Sequence, residues 1–146
     1  MASAPPAIRS RPLTLVFNVP VSKTQKFWDG IKEGKIYTTR CKKCQKLSFP
    51  PIGDCPTCLS SDMEWVELGE EAEIETFTYI PIKPASFQSY DNYTIAIAKL
   101  NEGVRVLAWL TDAKLEDVKV GMKVKLAAKV RHDGTLTYEF KPLSSR

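Results

Sequence analysis

The 146-residue chain has one histidine, His132, and no cysteine outside the stretch "CKKCQKLSFPPIGDCPTC", Cys41–Cys58. His132 stands in "RHDG", a solvent-facing turn pattern, so a Ser-His-Asp or Cys-His arrangement would have to be assembled on that turn. Nothing nearby resembles a nucleophile elbow. Glycine-rich phosphate loops of the Walker or dinucleotide type are missing too. Long apolar runs are also scarce. The longest near the start is "LTLVF", Leu13–Phe17, well short of the ~20 apolar residues of a membrane span and of a secretory signal core. The expectation is a cytoplasmic protein with no membrane contact and no independent catalysis.

Hydrophobic residues at 43% and charged residues at 26% are ordinary for a globular protein. The length suits one domain or two small ones. A net charge of +4 hides a sharper asymmetry: up to Leu47 ten Lys/Arg face only Asp29 and Glu33. From Ser48 to Glu75 there are eight acids and no Lys or Arg. Such segregation suggests docking between segments or onto a partner, or simply separate solvated faces.

All four cysteines fall in two Cys-x-x-Cys pairs, Cys41/Cys44 and Cys55/Cys58. Without a secretion signal, that arrangement points to a metal rather than to disulfides or redox exchange. Zinc suits four thiolates in a tetrahedron, and each turn brings two sulfurs together. The gap between the pairs is short, but "FPPIGD" supplies turn residues for a ribbon hairpin. Iron in the same cage is the alternative. Gln45 and Leu59 stand where glycine often follows the second cysteine, and left-handed backbone there would cost about 1–2 kcal/mol each. Structural zinc supplies about 10–16 kcal/mol in such folds, so the ion should prevail. Four thiolates leave no open coordination position, and a closed site is structural.

Along the chain, residues 1–20 form a Pro- and Ala-rich arm, flexible alone or laid against another surface. "SKTQKFWDGIKEGK" predicts a short helix within 21–35, with a capping box at Ser22 and Gln25. Phe27 and Ile31 share its buried face, and Gly34 ends it. The ribbon occupies 36–67. In 68–146, strands are predicted over Glu73–Ile82, Tyr93–Leu100, Val104–Leu110, Lys123–Val130 and Thr135–Phe140. "NEG" and "HDG" are tight hairpins. A longer third-to-fourth connection completes the pattern of a five-stranded OB barrel, so the fold class is mainly β.

Three surfaces invite binding. "KVKLAAKVR" places Lys123, Lys125, Lys129 and Arg131 opposite Val124, Leu126, Ala128 and Val130. The basic row suits a phosphate backbone or a solvated face that discourages strand pairing. Arg40, Lys42, Lys43 and Lys46 crowd the first knuckle, where they balance the thiolates or meet ligand phosphates. Phe27 and Trp28 are adjacent and cannot both face one core, which leaves one for a partner or an apolar ligand tail. Trp109 alternates with inward Ala108 and Leu110, exposed or covered by the helical and zinc parts.

"FWDGIKEGKIYTTRCKKCQKLSFPPIGDCPTC", "WVEL", "FTYI", "IAIAKLNEGVRVLAWL", "VGMKV" and "YEFKP" together resemble the acyl-coenzyme-A-associated zinc-ribbon/OB-fold family, long labelled a domain of unknown function. The resemblance runs from about Val21 to Pro142. It implies a helical N-terminus, a rubredoxin-like ribbon and a C-terminal OB barrel. It also implies a non-catalytic partner of thiolase-superfamily enzymes. In archaeal relatives such a protein bridges acetoacetyl-CoA thiolase and hydroxymethylglutaryl-CoA synthase, with coenzyme A shared between subunits. Others serve acyl-CoA hydratases or ketoacyl thiolases. Gln45 replaces the usual glycine, and "LGEEAEI" lacks the second glycine common before the first barrel strand. A coenzyme-A ligand needs cations and an apolar slot, for which Phe27, Trp28, Lys42, Lys43 and Lys46 are candidates. The rival reading is a single-stranded nucleic-acid module carried by Lys123, Lys125 and Lys129.

Overall fold

A computed structural model describes residues 6–8, 10, 11, 13 and 15–143; the remainder of the predicted arm lies outside the described residues. A 3-10 turn at Ser22–Thr24 leads into helix α1, Gln25–Lys32. The predicted capping box does not form. Thr24, not Ser22, flanks the helix, no side chain caps it, and Gln25 Nε2 turns outward to Asp29 Oδ1 at 3.1 Å. The preceding turn already places the Thr24 N–H on the Val21 carbonyl at 2.8 Å, so the entry is built from backbone. Gly34 takes φ +80° just past the helix, as its sequence position predicts.

Phe27 and Ile31 are buried on one helical stripe, worth about 1.5–3 kcal/mol each. The helix packs against the ribbon and the barrel. Gly30 has a packing role that propensity alone hides: a Cβ there would lie 2.5 Å from Tyr37 Cδ2. Ala improves helix propensity by about 1 kcal/mol, yet Gly30→Ala is expected to destabilise the fold by about 1–3 kcal/mol through overpacking. Thermal denaturation measures this; a raised Tm would show that the Tyr37 ring moves aside freely.

Next come β1 (Tyr37–Cys41), β2 (Leu47–Ser48) and β3 (Met63–Glu67), a three-stranded antiparallel sheet in the order β2-β1-β3. Then β4 (Glu71–Ile80), β5 (Tyr93–Leu100), β6 (Arg105–Leu110), β7 (Lys123–Val130) and β8 (Leu136–Pro142) close a barrel in the order β4-β5-β6-β8-β7. A register shift between Ile74 and Thr76 bends β4, which pairs with β7 before it and with β5 on both sides of it. Short hairpins join β5 to β6 and β7 to β8, a longer loop with a 3-10 turn at Ala85–Phe87 joins β4 to β5, and β6 meets β8 in parallel at Trp109–Glu139 and Leu110–Phe140. Gly103 and Gly134 adopt positive φ in the two predicted hairpins. The 3-10 turn Leu115–Asp117 fills the longer connection.

Alternation along the strands sends Ile74, Leu100, Val106, Val124, Leu126 and Phe140 into the barrel core. Val130, expected on the same inward face, is exposed at the hairpin end of β7, where β8 pairs with it but β4 no longer does. Helix, ribbon and barrel meet in one aromatic triangle. Phe27 lies 6.0 Å from Phe49 and 6.1 Å from Tyr138, and Phe49 lies 5.3 Å from Tyr138, all edge to face. Burial at this junction pushes the Tyr138 phenol above its ordinary pKa.

The charge asymmetry resolves largely within the molecule. Lys23–Asp54, Lys35–Glu67, Arg40–Glu64 and Lys42–Asp62 join the basic start to the acidic middle. Glu70, Glu73 and Glu75 take Lys125, Lys123 and Arg105 from the barrel. Exposed pairs of this kind contribute about 0–1 kcal/mol each, so they set register more than stability.

Candidate functional site

Two tight turns build the centre. Cys41 ends β1, and its carbonyl accepts the Gln45 N–H at 2.8 Å; the Cys55 carbonyl accepts the Leu59 N–H at 2.9 Å. Both turns need left-handed backbone at the residue after the second cysteine, and Gln45 (φ +62°) and Leu59 (φ +56°) supply it despite their side chains. Each turn aims backbone N–H groups at the sulfur of its first cysteine. Those of Cys44 and Lys43 lower the Cys41 pKa, and those of Cys58 and Thr57 bring Cys55 down to about 6.

The four Sγ atoms lie within 4.8 Å of one another, with Cys41–Cys58 and Cys44–Cys55 each at 3.5 Å. Ligands about 2.3 Å from a tetrahedral zinc stand about 3.8 Å apart, so the cluster fits such an ion with little movement. Without a cation the sulfurs oppose each other's charge. Cys58 accepts the Ser60 N–H, which lowers its pKa, but Cys41 and the other neighbouring thiols push it up to about 12. A bound cation removes that conflict and allows all four thiolates. The site offers structure: four ligands saturate a tetrahedral ion and leave no position for water or substrate.

The five residues proposed for coenzyme A fall in two places. Phe27, buried in the core, and half-buried Trp28 both line an apolar cavity of about 270 Å3 with Thr24, Pro50, Pro51 and Tyr138. Trp28 Nε1 is buried there with no hydrogen-bond partner among the described residues. Lys42, Lys43 and Lys46 sit on the first knuckle and do not line that cavity. Lys42 pairs with Asp62 at 3.0 Å, which raises its pKa, and Lys46 donates to Thr57 Oγ1 at 2.9 Å. Lys43 is exposed.

The basic row of β7 is neutralised in place. Lys123 meets Glu73 at 2.6 Å, Lys125 meets Glu70 at 2.7 Å and Lys129 meets Glu139 at 3.0 Å. A phosphate backbone would have to displace three carboxylates. Trp109 is half-buried, but its cover is not the helical or zinc part. Phe87, Tyr90 and Tyr93 enclose it instead. Sequence reading missed this cluster and the buried Glu139; the aromatic spacing of "FQSYDNY" was the available signal for the first.

A four-cysteine ribbon stapled by an aromatic triangle to an OB barrel defines a two-part, mainly β protein with one cluster shaped to hold a metal ion. Two family models match consecutive stretches, the ChsH2 rubredoxin-like zinc ribbon domain over residues 28–64 and the ChsH2 C-terminal OB-fold domain over residues 65–129. A DUF35 domain-containing scaffold protein of Methanocaldococcus jannaschii is 32% identical over 126 residues, covering 81% of this chain and 89% of the relative. The chain belongs to this DUF35 family of zinc-ribbon/OB-fold proteins. Benzoylsuccinyl-CoA thiolase subunit BbsA of Thauera aromatica is 32% identical over 74 residues, 51% of this chain and 50% of that subunit. A solved structure described as an Ltp2-ChsH2(DUF35) aldolase shares the fold with a TM-score of 0.72 and 22% identity, over 90% of this chain and 98% of that one. No helix among the described residues is long and apolar enough to cross a membrane.

Proposed function

We propose that this chain is a non-catalytic accessory subunit that holds acyl-CoA enzymes together, with zinc as its structural ion. Its foremost partners are thiolase-type enzymes, followed by hydroxymethylglutaryl-CoA synthase-like enzymes. The observation that carries this reading is the coordinatively closed four-cysteine centre, set in a chain whose relatives are named scaffold protein and thiolase subunit. A rigid ribbon and barrel hold two surfaces at fixed separation, and joining enzymes on them raises the effective concentration of a passed intermediate. Trp28, whose N–H beside an apolar cavity has no partner among the described residues, and exposed Lys43 are the residues of the proposed ligand set best placed to meet a partner or its thioester.

The test is affinity purification of the full tagged chain from its native source at several ionic strengths. Captured proteins are identified by mass spectrometry and assayed for thioester turnover. The expected result is a thiolase-type enzyme in the captured fraction and no turnover by the purified chain alone. Failure to capture any acyl-CoA enzyme at every salt, or turnover by the lone chain, would overturn the reading.

A further inference from the structure

The β5–β6 face of the barrel carries a second constellation that the metal centre does not use. Tyr93 and Trp109 stack with centroids 4.4 Å apart and planes 17° from parallel. From the loop between β4 and β5, Phe87 and Tyr90 approach the same indole at 6.1 and 5.5 Å. Arg131, just past β7, lies 4.6 Å from the Trp109 ring and 5.4 Å from the Tyr90 ring, with Nη1 3.5 Å from the Tyr90 hydroxyl. The hairpin holding Arg131 is itself fixed, because Asp133 Oδ1 accepts the Thr135 N–H at 2.8 Å. In OB barrels the second and third strands and their flanking loops form the ligand face. Two cavities of about 380 and 420 Å3 flank Trp109 here and share Tyr90 and Thr111. Each has the size of a small-molecule site.

The charge on Arg131 narrows the ligand. Lys123, Lys125, Lys129, Lys141 and Arg105 each end on a carboxylate. Arg131 has no carboxylate at ion-pair distance among the described residues; aromatic rings hold its plane instead. Its outer face and unused donors are therefore left for a planar ring and an anion. That pairing fits a heteroaromatic ring carrying phosphate. A nucleic-acid strand needs a row of free cations along its backbone, and the neighbouring cations are occupied. One free guanidinium beside His132 suits a single small nucleotide.

We propose that Tyr90, Trp109 and Arg131 bind the adenine nucleotide end of a coenzyme-A thioester, with the ring against Tyr90 and the guanidinium plane and a phosphate on the arginine donors. The choice of coenzyme A over another adenine nucleotide rests on the acyl-CoA reading above. The full metal-loaded chain is titrated calorimetrically with coenzyme A, ADP, pantetheine and oligothymidylate. Coenzyme A and ADP should bind and pantetheine should not. Arg131→Ala should weaken both nucleotides by about tenfold or more, the usual effect of losing a charged hydrogen bond. Tyr90→Ala should act in the same direction, exposed Lys119→Ala, which lines neither cavity, should change nothing, and near-UV circular dichroism checks that each variant is folded. Unchanged affinity in Arg131→Ala overturns the site. So does pantetheine binding equal to that of coenzyme A, or oligothymidylate binding without ADP binding. Enzyme capture is scored separately on the same proteins. Capture without nucleotide binding rejects this site and leaves the scaffold standing, whereas nucleotide binding without capture supports the site and rejects the scaffold.

Discussion

Exchange of Cys41 for Ser is expected to strip the chain of its ion and unfold the ribbon while leaving the barrel folded. Cys41 is fully buried at the end of β1, and its sulfur lies 3.5 Å from that of Cys58. A structural zinc supplies about 10–16 kcal/mol, more than the roughly 5–15 kcal/mol of net stability typical of a whole domain. Within the ribbon, little else can replace it. Only Thr38, Thr39, Cys41, Pro51 and Cys55 of residues 37–67 are buried, and β2 has two residues. The barrel owns a separate apolar core, so its strands should survive. Elemental analysis should find one zinc in the native protein and none in the variant; iron instead would correct the identity of the ion. Limited proteolysis should cut between Thr39 and Asp62 only in the variant or after chelation. Acid should act in the same direction: each thiolate must bind a proton as the ion leaves, so retention weakens as pH falls. Stoichiometric metal in Cys41→Ser, or a chelated protein with unchanged cleavage, would refute this account.

The second large effect concerns Glu139, whose side chain is 4% exposed and lies 3.0 Å from Lys129 and 3.6 Å from Lys141. Both lysines are nearly half exposed and could return to water at small cost; the carboxylate cannot. Replacing both by Met should therefore destabilise the fold by about 3–5 kcal/mol, the usual penalty of a buried charge left unpaired. Adding Glu139→Gln should recover a substantial part, because the remaining group is neutral. Urea denaturation of the single, double and triple variants gives the coupling energy. A double variant as stable as the native chain would mean that water already reaches the carboxylate.

Much of this architecture is legible in the residues themselves. The two knuckles are local: Cys-x-x-Cys spacing fixes which sulfurs converge, and the positive φ of Gln45 and Leu59 follows from the turns they close. Strand alternation gave the barrel, with two strands at their expected limits and the others shifted by one or two residues. Longer-range features were hidden. The Ser22–Gln25 spacing fits a capping box, but a 3-10 turn consumes it. Gly30 looks like a weak helix position until Tyr37, seven residues on, needs its space. The acids that occupy Lys123, Lys125 and Lys129 come from β4, its preceding loop and β8. Likewise, Arg131 reaches Trp109 only because the barrel closes.

That closure dictates an order of events as the polypeptide is made. The ribbon uses neighbours close in the chain, so it can capture its cation while translation continues. Helix α1 comes earlier still, yet it rests on β7 and β8, whose residues are the last of the barrel to be synthesised. Phe27 can meet Phe49 of the ribbon early, but its cover stays incomplete until Tyr138 of β8 has been added. Contacts this distant along the chain form slowly, and exposed apolar side chains invite aggregation in the interval. The docking of this early helix onto the barrel is thus the final step, and a nascent chain stalled before β7 would leave part of its Phe27–Ile31 stripe open to chaperones.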